Sequence, residues 1–196
     1  MTVQLVLATH NSHKVDELRR ILGDRLDGIE LIGYDGPEPI EDGDTFEANA
    51  LIKARAAAAH TGLAAIADDS GISATALGGA PGIHSARYAG TRNDRDNLEL
   101  LLTNLSGVSD RSAWFSCAAA LVVGDVEHVE LGIWPGSVLF EAAGVGGFGY
   151  DPIFRPEGLD VSAAELSADE KNAVSHRARA FEAIMPVVRA KLLGAN

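Results

Sequence analysis

Two strand-like runs separated by only two residues constrain this chain most. SAWFSCAAALVV (112–123) and VEHVELGIWPGSVLF (126–140) flank Gly124-Asp125, a dipeptide suited to a two-residue hairpin turn. Upstream, apolar runs alternate with helical periods. VQLVLAT (3–9) reads as a buried strand. NSHKVDELRRIL (11–22) reads as a helix capped by Asn11, with Val15, Leu18 and Leu22 on one face. IELIGY (29–34) is a second strand, DTFEANALIKARAAAAH (44–60) a helix, and LAAIAD (63–68) a third strand. NDRDNLELLLTNL (93–105) and the C-terminal HRARAFEAIMPVVRAKLL (176–193) carry the helical period again. Asp44 with Glu47, and Ser167 with Glu170, have capping-box spacing. Pro186 is expected to kink or interrupt the last helix. A βαβ series followed by a hairpin predicts an α/β fold with a mixed β-sheet flanked by helices.

At 196 residues and 46% hydrophobic content, the chain has enough apolar material for a full core. There is no clean linker and no repeat, so a single domain over 1–196 is expected, with two lobes and a cleft. The one cysteine, Cys117, lies inside an apolar run and reads as a core residue. With no disulfide possible within the chain, a reducing, cytoplasmic setting is expected. No apolar run has the length of a membrane span. MTVQLVLATHNSHK reads as a first strand and not as a signal peptide. A net charge of −12 argues against a nucleic-acid partner. A small anionic ligand remains compatible, provided local cations or a metal counter the acidic field.

Candidate chemistry gathers in five stretches. THNSHK (9–14) sits where a strand gives way to a helix, a place where free N–H groups donate to anions, and Lys14 adds a cation. It is not a P-loop; the bland alternative is a cap with a solvated lysine. IEDG (40–43) offers Glu41 and Asp42 in a loop. ADDSG (67–71) places Asp68 and Asp69 at the expected end of the third strand. Adjacent strand residues point to opposite faces, so both acids can face one cleft only if the chain turns, which Gly71 permits. Asp-x-Asp-x-Thr is absent, so metal binding or general-base work suits these acids better than a phospho-aspartate; an exposed turn is the alternative. GVGGFG (144–149) satisfies a dinucleotide spacing but runs into Tyr150-Asp151-Pro152, and Pro152 disfavours the helix that fingerprint needs. Phe148 in that loop instead offers a ring for stacking on a base. KNAVSHR (171–177) groups Lys171, His176 and Arg177 on the last helical segment, either as an anion or base contact or as a solvated basic face.

ATHNSHK, EDGDTFEANALIKA, IADDSGI, LGGAPGIHSARYAG, GGFGYDPIF and AAELSADEKNAVSHR occur in that order from residue 8 to 177. Together they resemble the inosine triphosphate pyrophosphatase family of non-canonical purine nucleoside triphosphate pyrophosphatases. The resemblance implies an elongated mixed α/β sheet with two lobes, a nucleotide cleft between them, and a homodimer. It implies Mg²⁺-dependent hydrolysis of ITP, dITP and XTP to monophosphate and pyrophosphate, cleansing the nucleotide pool. By the same resemblance, Thr9, His10, Asn11, Ser12, His13 and Lys14 form the phosphate-binding turn, and Lys53 lies near the triphosphate. Glu41 and Asp69 are the magnesium ligands, Asp69 is also the proton acceptor, and Ser70 contacts substrate. Phe148, Gly149, Tyr150 and Asp151, with Lys171, His176 and Arg177, serve the base and ribose. Relatives often carry Gly where this chain has His10. Many read Phe-x-Glu-Asn-Ala where this chain has Phe46-Glu47-Ala48-Asn49-Ala50, so Glu47 is assigned capping only. Donors to a purine 6-keto oxygen reject adenine; no residue reveals how guanine is rejected. A broader pyrophosphatase acting on modified pyrimidine triphosphates, and a non-hydrolysing nucleotide sensor, are the alternatives.

Overall fold

The structure is a computed structural model that describes residues 2–10 and 12–194, without the side chains of Ser12 and His13. Six strands form one mixed sheet: β1 (Val3–Leu7), β2 (Ile29–Gly33), β3 (Ala64–Ala74), β4 (Ser112–Val123), β5 (Val126–Val138) and β6 (Phe154–Pro156). Their order is β2-β1-β3-β4-β5-β6. β1 runs parallel to both β2 and β3, and β6 runs antiparallel to β5. The helices are α1 (Ser12–Leu22), α2 (Phe46–Thr61), α3 (Asp94–Asn104), α4 (Ala168–Val174) and α5 (His176–Leu193). The α/β class, the mixed sheet and the hairpin at Gly124-Asp125 are as the sequence predicts. The Asn11 cap expected for α1 lies outside the described residues.

The chain folds into two compact units. The first comprises residues 1–69, 117–132 and 177–196, and the second 70–116 and 133–176. In the first, Leu5, Leu7, Leu18, Leu22, Ile66, Phe181 and Ile184 are buried together, with Cys117 among them. Burial pushes the Cys117 thiol well above its ordinary range, as expected for an inert core cysteine. The alanines of α2 have a packing role. Ala50 and Ala54 meet Ala67, Ala118 and Ala120 of the sheet, and Ala57 meets Val6 and Ala65. The i, i+4, i+7 spacing puts all three on one helix face. In the second unit, Ile72, Leu98, Leu101, Leu105, Phe115, Trp134 and Phe154 form a separate core.

Several local expectations need correction. β3 does not end at Asp68; it continues through Asp69, Ser70 and Gly71 to Ala74. Gly71 is therefore no turn residue. A Cβ there would sit 2.5 Å from Gly82 O and 2.9 Å from Ser85 Cβ, so glycine is required by close packing. Ser85 fills that space: its Oγ accepts from Ile72 N at 3.0 Å and donates to Gly82 O at 2.6 Å. The Asp44–Glu47 capping box does not form, because α2 begins one residue later. Its cap is Thr45, whose hydroxyl accepts from Ala48 N at 3.1 Å. The Ser167–Glu170 box does form, with both reciprocal bonds present. Residues 171–177 do not share one helix, since α4 ends at Val174 and α5 starts at His176. Of the kink or interruption expected at Pro186, the interruption does not occur, since α5 runs on through it; the buried Ile184, Met185 and Val188 around it keep that stretch helical at the cost of one backbone bond.

Candidate active site

Because β3 stays extended, its two aspartates face different partners. Asp68 is buried. It accepts from Arg177 Nη2 at 3.1 Å and Nε at 3.3 Å, and Lys14 Nζ lies 3.6 Å away. Arg177, almost wholly buried, also donates to Glu17 at 3.2 Å. Burial alone would raise the Asp68 pKa. Lys14, Arg177 and Lys53 outweigh it and hold this carboxyl far below the usual range.

Asp69 meets α2. Asn49 Nδ2 donates to its Oδ2 at 3.3 Å, and Lys53 Nζ donates to its Oδ1 at 3.3 Å. Lys53 Nζ also donates to Glu41 Oε2 at 3.1 Å. Burial, aided by the nearby Glu41 charge, raises the Asp69 pKa despite the opposing pull of Lys53. Burial opposes the Lys53 charge, but Asp69, Asp68 and Glu41 hold its pKa above the ordinary lysine value.

Two carboxylates from separate elements therefore converge on one cationic centre. Among the described residues no group of three or more His, Cys, Asp or Glu is placed to hold a metal. Glu41 and Asp69 supply the one or two carboxylates that a hard divalent cation takes, its shell completed by water and substrate phosphate. Oxygen-only donors of this kind suit a hard divalent cation. Beside them, Thr9, His10, Lys14, Glu41, Lys53 and Asp68 help line a cleft of about 150 Å³ in the first unit.

Of the expected phosphate turn, Thr9 N donates to Leu7 O at 2.7 Å. His10, in place of glycine, is held at the cleft by its ring: Nε2 donates to Gly36 O at 2.6 Å and Nδ1 lies 3.1 Å from Glu38 Oε1. Asn11 lies outside the described residues. Ser12 and His13 open α1, and Lys14 follows one residue later.

The second unit holds the other expected residues except Arg177. Asp151, buried, accepts from Phe148 N at 2.9 Å and from Lys171 Nζ. Lys171 Nζ lies 4.7 Å from the centre of the Phe148 ring, which is 52% exposed. Gly149 N donates to Asp94 at 2.9 Å, and the Tyr150 hydroxyl donates to Ser85 O at 2.8 Å. Burial raises the Tyr150 pKa, so this phenol stays a donor. His176 stacks on Phe115 at 4.6 Å between ring centres. Ser70 is half-buried on β3. Arg177 is held in the first unit by Asp68 and Glu17, whereas Lys171 and His176 belong to the second. Sequence reasoning passed over Glu17, Asn49 and Asp94. Asn49 carried a signal, since it precedes Lys53 by one helical turn and so shares its face.

The Ham1 family model matches residues 5–187. The chain belongs to the Ham1 family. A dITP/XTP pyrophosphatase of Leifsonia xyli subsp. xyli is 58% identical over 193 residues, covering 96% of each chain. One of Streptomyces coelicolor is 51% identical, covering 97% of this chain and 99% of its own. Among solved structures, a HAM1 protein from Coxiella burnetii superposes with a TM-score of 0.88 at 42% identity, over 95% of this chain and 98% of its own. A nucleoside-triphosphatase / dITP/XTP pyrophosphatase from Mycobacterium abscessus gives 0.77 at 45% identity, over 94% and 100%. The Ham1 match contains all six motifs, so the resemblance read from them holds along the chain. Among the described residues no helix of this Ham1 protein is long and apolar enough to cross a membrane.

Proposed function

We propose that this protein is a dITP/XTP pyrophosphatase. It hydrolyses ITP, dITP and XTP to the monophosphate and pyrophosphate, and so clears deaminated purines from the nucleotide pool. The observation that carries this reading is the convergence of Glu41 and Asp69 on Lys53, in a chain 58% identical to a dITP/XTP pyrophosphatase. A nucleotide sensor has no need of a half-buried carboxylate with a raised pKa at its phosphate site.

Glu41 and Asp69 would hold Mg²⁺, which when bound supplies neutralisation of the triphosphate charge. Lys53, kept protonated by its three acidic neighbours, and Lys14 add fixed positive charge. Asp69 accepts a proton from water as the water oxygen bonds to the α-phosphorus. The bond from that phosphorus to the bridging oxygen breaks, and pyrophosphate departs with the electron pair. In the metal-free protein, burial and the Glu41 charge raise the Asp69 pKa and so favour its taking up a proton. Phe148 offers its exposed face to the purine, and Lys171 and the backbone of 148–151 serve the base and ribose. Donors to the 6-keto oxygen leave adenine mismatched. Residues 1–196 act as one functional domain, as a homodimer, in the cytoplasm.

The test is a triphosphate panel with Mg²⁺, with pyrophosphate and phosphate measured separately. Pyrophosphate from ITP, dITP and XTP, with little from ATP or GTP, is expected. Release only from modified pyrimidine triphosphates, or from none, overturns the reading.

A further inference from the structure

We infer that Asn49 is a positioning residue, a staple that fixes the Glu41 loop and the Asp69 carboxylate relative to each other. This rests on the metal and proton-acceptor roles given to those two acids. Asn49 is 3% exposed and sits in the first turn of α2. Its Oδ1 accepts from Gly43 N at 2.9 Å, two residues after Glu41, and its Nδ2 donates to Asp69 Oδ2 at 3.3 Å.

The orientation of this amide is not arbitrary. A backbone N–H only donates, so Oδ1 must face Gly43, and the NH₂ group must then face the carboxylate. The bond to Oδ2 leaves Oδ1 of Asp69 to face Lys53, the atom that also contacts Glu41. One side chain thus sets both the rotation of the Asp69 carboxylate and the approach of the loop carrying Glu41.

Packing at Gly43 is a second, independent observation. A Cβ there would lie 2.7 Å from Ala48 Cβ, 2.7 Å from Asn49 Oδ1 and 3.0 Å from Asn49 N. The loop is seated on the helix start with no room for any side chain, so the contact is built and not incidental. Hydrogen-bond partners of metal-binding carboxylates typically change metal affinity or activity by about 10–100-fold when removed.

The experiment compares wild type with Asn49→Ala and Asn49→Asp. Mn²⁺ binding is measured by calorimetry without nucleotide, dITP turnover at saturating Mg²⁺, and folding by thermal melting. For N49A, Mn²⁺ affinity is expected to fall about tenfold and kcat about tenfold or more, with KM for dITP changed less than about threefold, since the phosphate lysines and the base segment are untouched. N49D keeps an acceptor for Gly43 N–H but cannot donate to Asp69. It is expected to fold and yet lose kcat to a similar degree. If N49A lowers the melting temperature while leaving Mn²⁺ affinity and kcat intact, Asn49 is only a structural residue and the inference fails. If N49A does not fold, N49D decides, and wild-type kcat in N49D overturns it. A wild-type protein inactive on dITP would sink the pyrophosphatase reading instead, and the Mn²⁺ comparison would still report on the staple.

Discussion

Nη2 of Arg177 lies 3.1 Å from Oδ2 of Asp68, and both side chains are buried. The pair ties the second residue of α5 to the middle of β3 within the first unit. Removing one member of a buried ion pair leaves the other uncompensated and typically costs about 3–5 kcal/mol. Arg177→Met is therefore expected to destabilise the protein by about 3–5 kcal/mol in urea unfolding. Asp68→Asn should cost less, because Arg177 keeps Glu17 and the amide oxygen still accepts. Equal stability of R177M and wild type would contradict this account.

The two neighbouring aspartates should affect stability with opposite signs. Asp68 has a folded-state pKa below its unfolded value of about 3.9. Its contribution is present above about pH 4 and is lost as pH falls through the folded value. Asp69 has a raised pKa, caused first by burial. The folded state prefers it protonated, so its charge at neutral pH works against folding. In metal-free buffer at pH 7, Asp69→Asn is expected to raise the urea midpoint and D68N to lower it. The D69N advantage should shrink as pH falls through the Asp69 pKa, where wild type also becomes neutral at that site. D69N is also expected to lose dITP turnover far more than nucleotide binding. A D69N protein less stable than wild type at pH 7 would refute the sign.

Gly71 illustrates what the sequence makes legible and what it does not. The apolar periods of β1, α1, β4 and β5 are local, and so is the Gly124-Asp125 turn, so these elements could be read directly. The extension of β3 through Asp68-Asp69-Ser70-Gly71 could not. Two charges and a glycine look like a strand end until Arg177, Lys14 and Lys53 arrive from distant sequence to neutralise the acids, and Ser85 arrives to occupy the missing side chain's place. The acids Glu41 and Asp69 were legible through motif resemblance. Their joint contact with Lys53 needed the fold, and Asn49 was hidden because its work is done by hydrogen bonds to a backbone N–H and to a residue twenty positions away.

That reading gives Gly71 a direct test. Gly71→Ala adds a methyl group against Gly82 O and Ser85 Cβ, a backbone atom and a buried side chain that cannot easily yield. Overpacking of this kind typically costs about 1–3 kcal/mol, and that loss is expected in chemical denaturation. Gly71→Ala combined with Ser85→Ala should recover only part of it, because the clash with the Gly82 carbonyl remains. If G71A matched or exceeded wild-type stability, the close approach would not be the reason for glycine.

Lys171 and Asp151 separate stability from recognition in the second unit. Lys171 is 8% exposed and Asp151 2%, and they form an ion pair beneath the Phe148 ring. Lys171→Met strands the Asp151 charge, with Phe148 N left as a donor, and should cost about 3–5 kcal/mol. Asp151→Asn in the same chain removes that stranded charge. A neutral pair of similar volume is often no less stable than the ion pair it replaces, so the double variant should regain most of the lost stability. It should not regain recognition. The ammonium that lies 4.7 Å from the Phe148 ring is gone, and KM for dITP should stay raised about tenfold while kcat falls less, since the role proposed for these residues is at the base and not at the α-phosphorus. Urea unfolding and steady-state kinetics on the same three variants read both effects. A double variant with restored stability and wild-type KM would show that Lys171 only supports the fold.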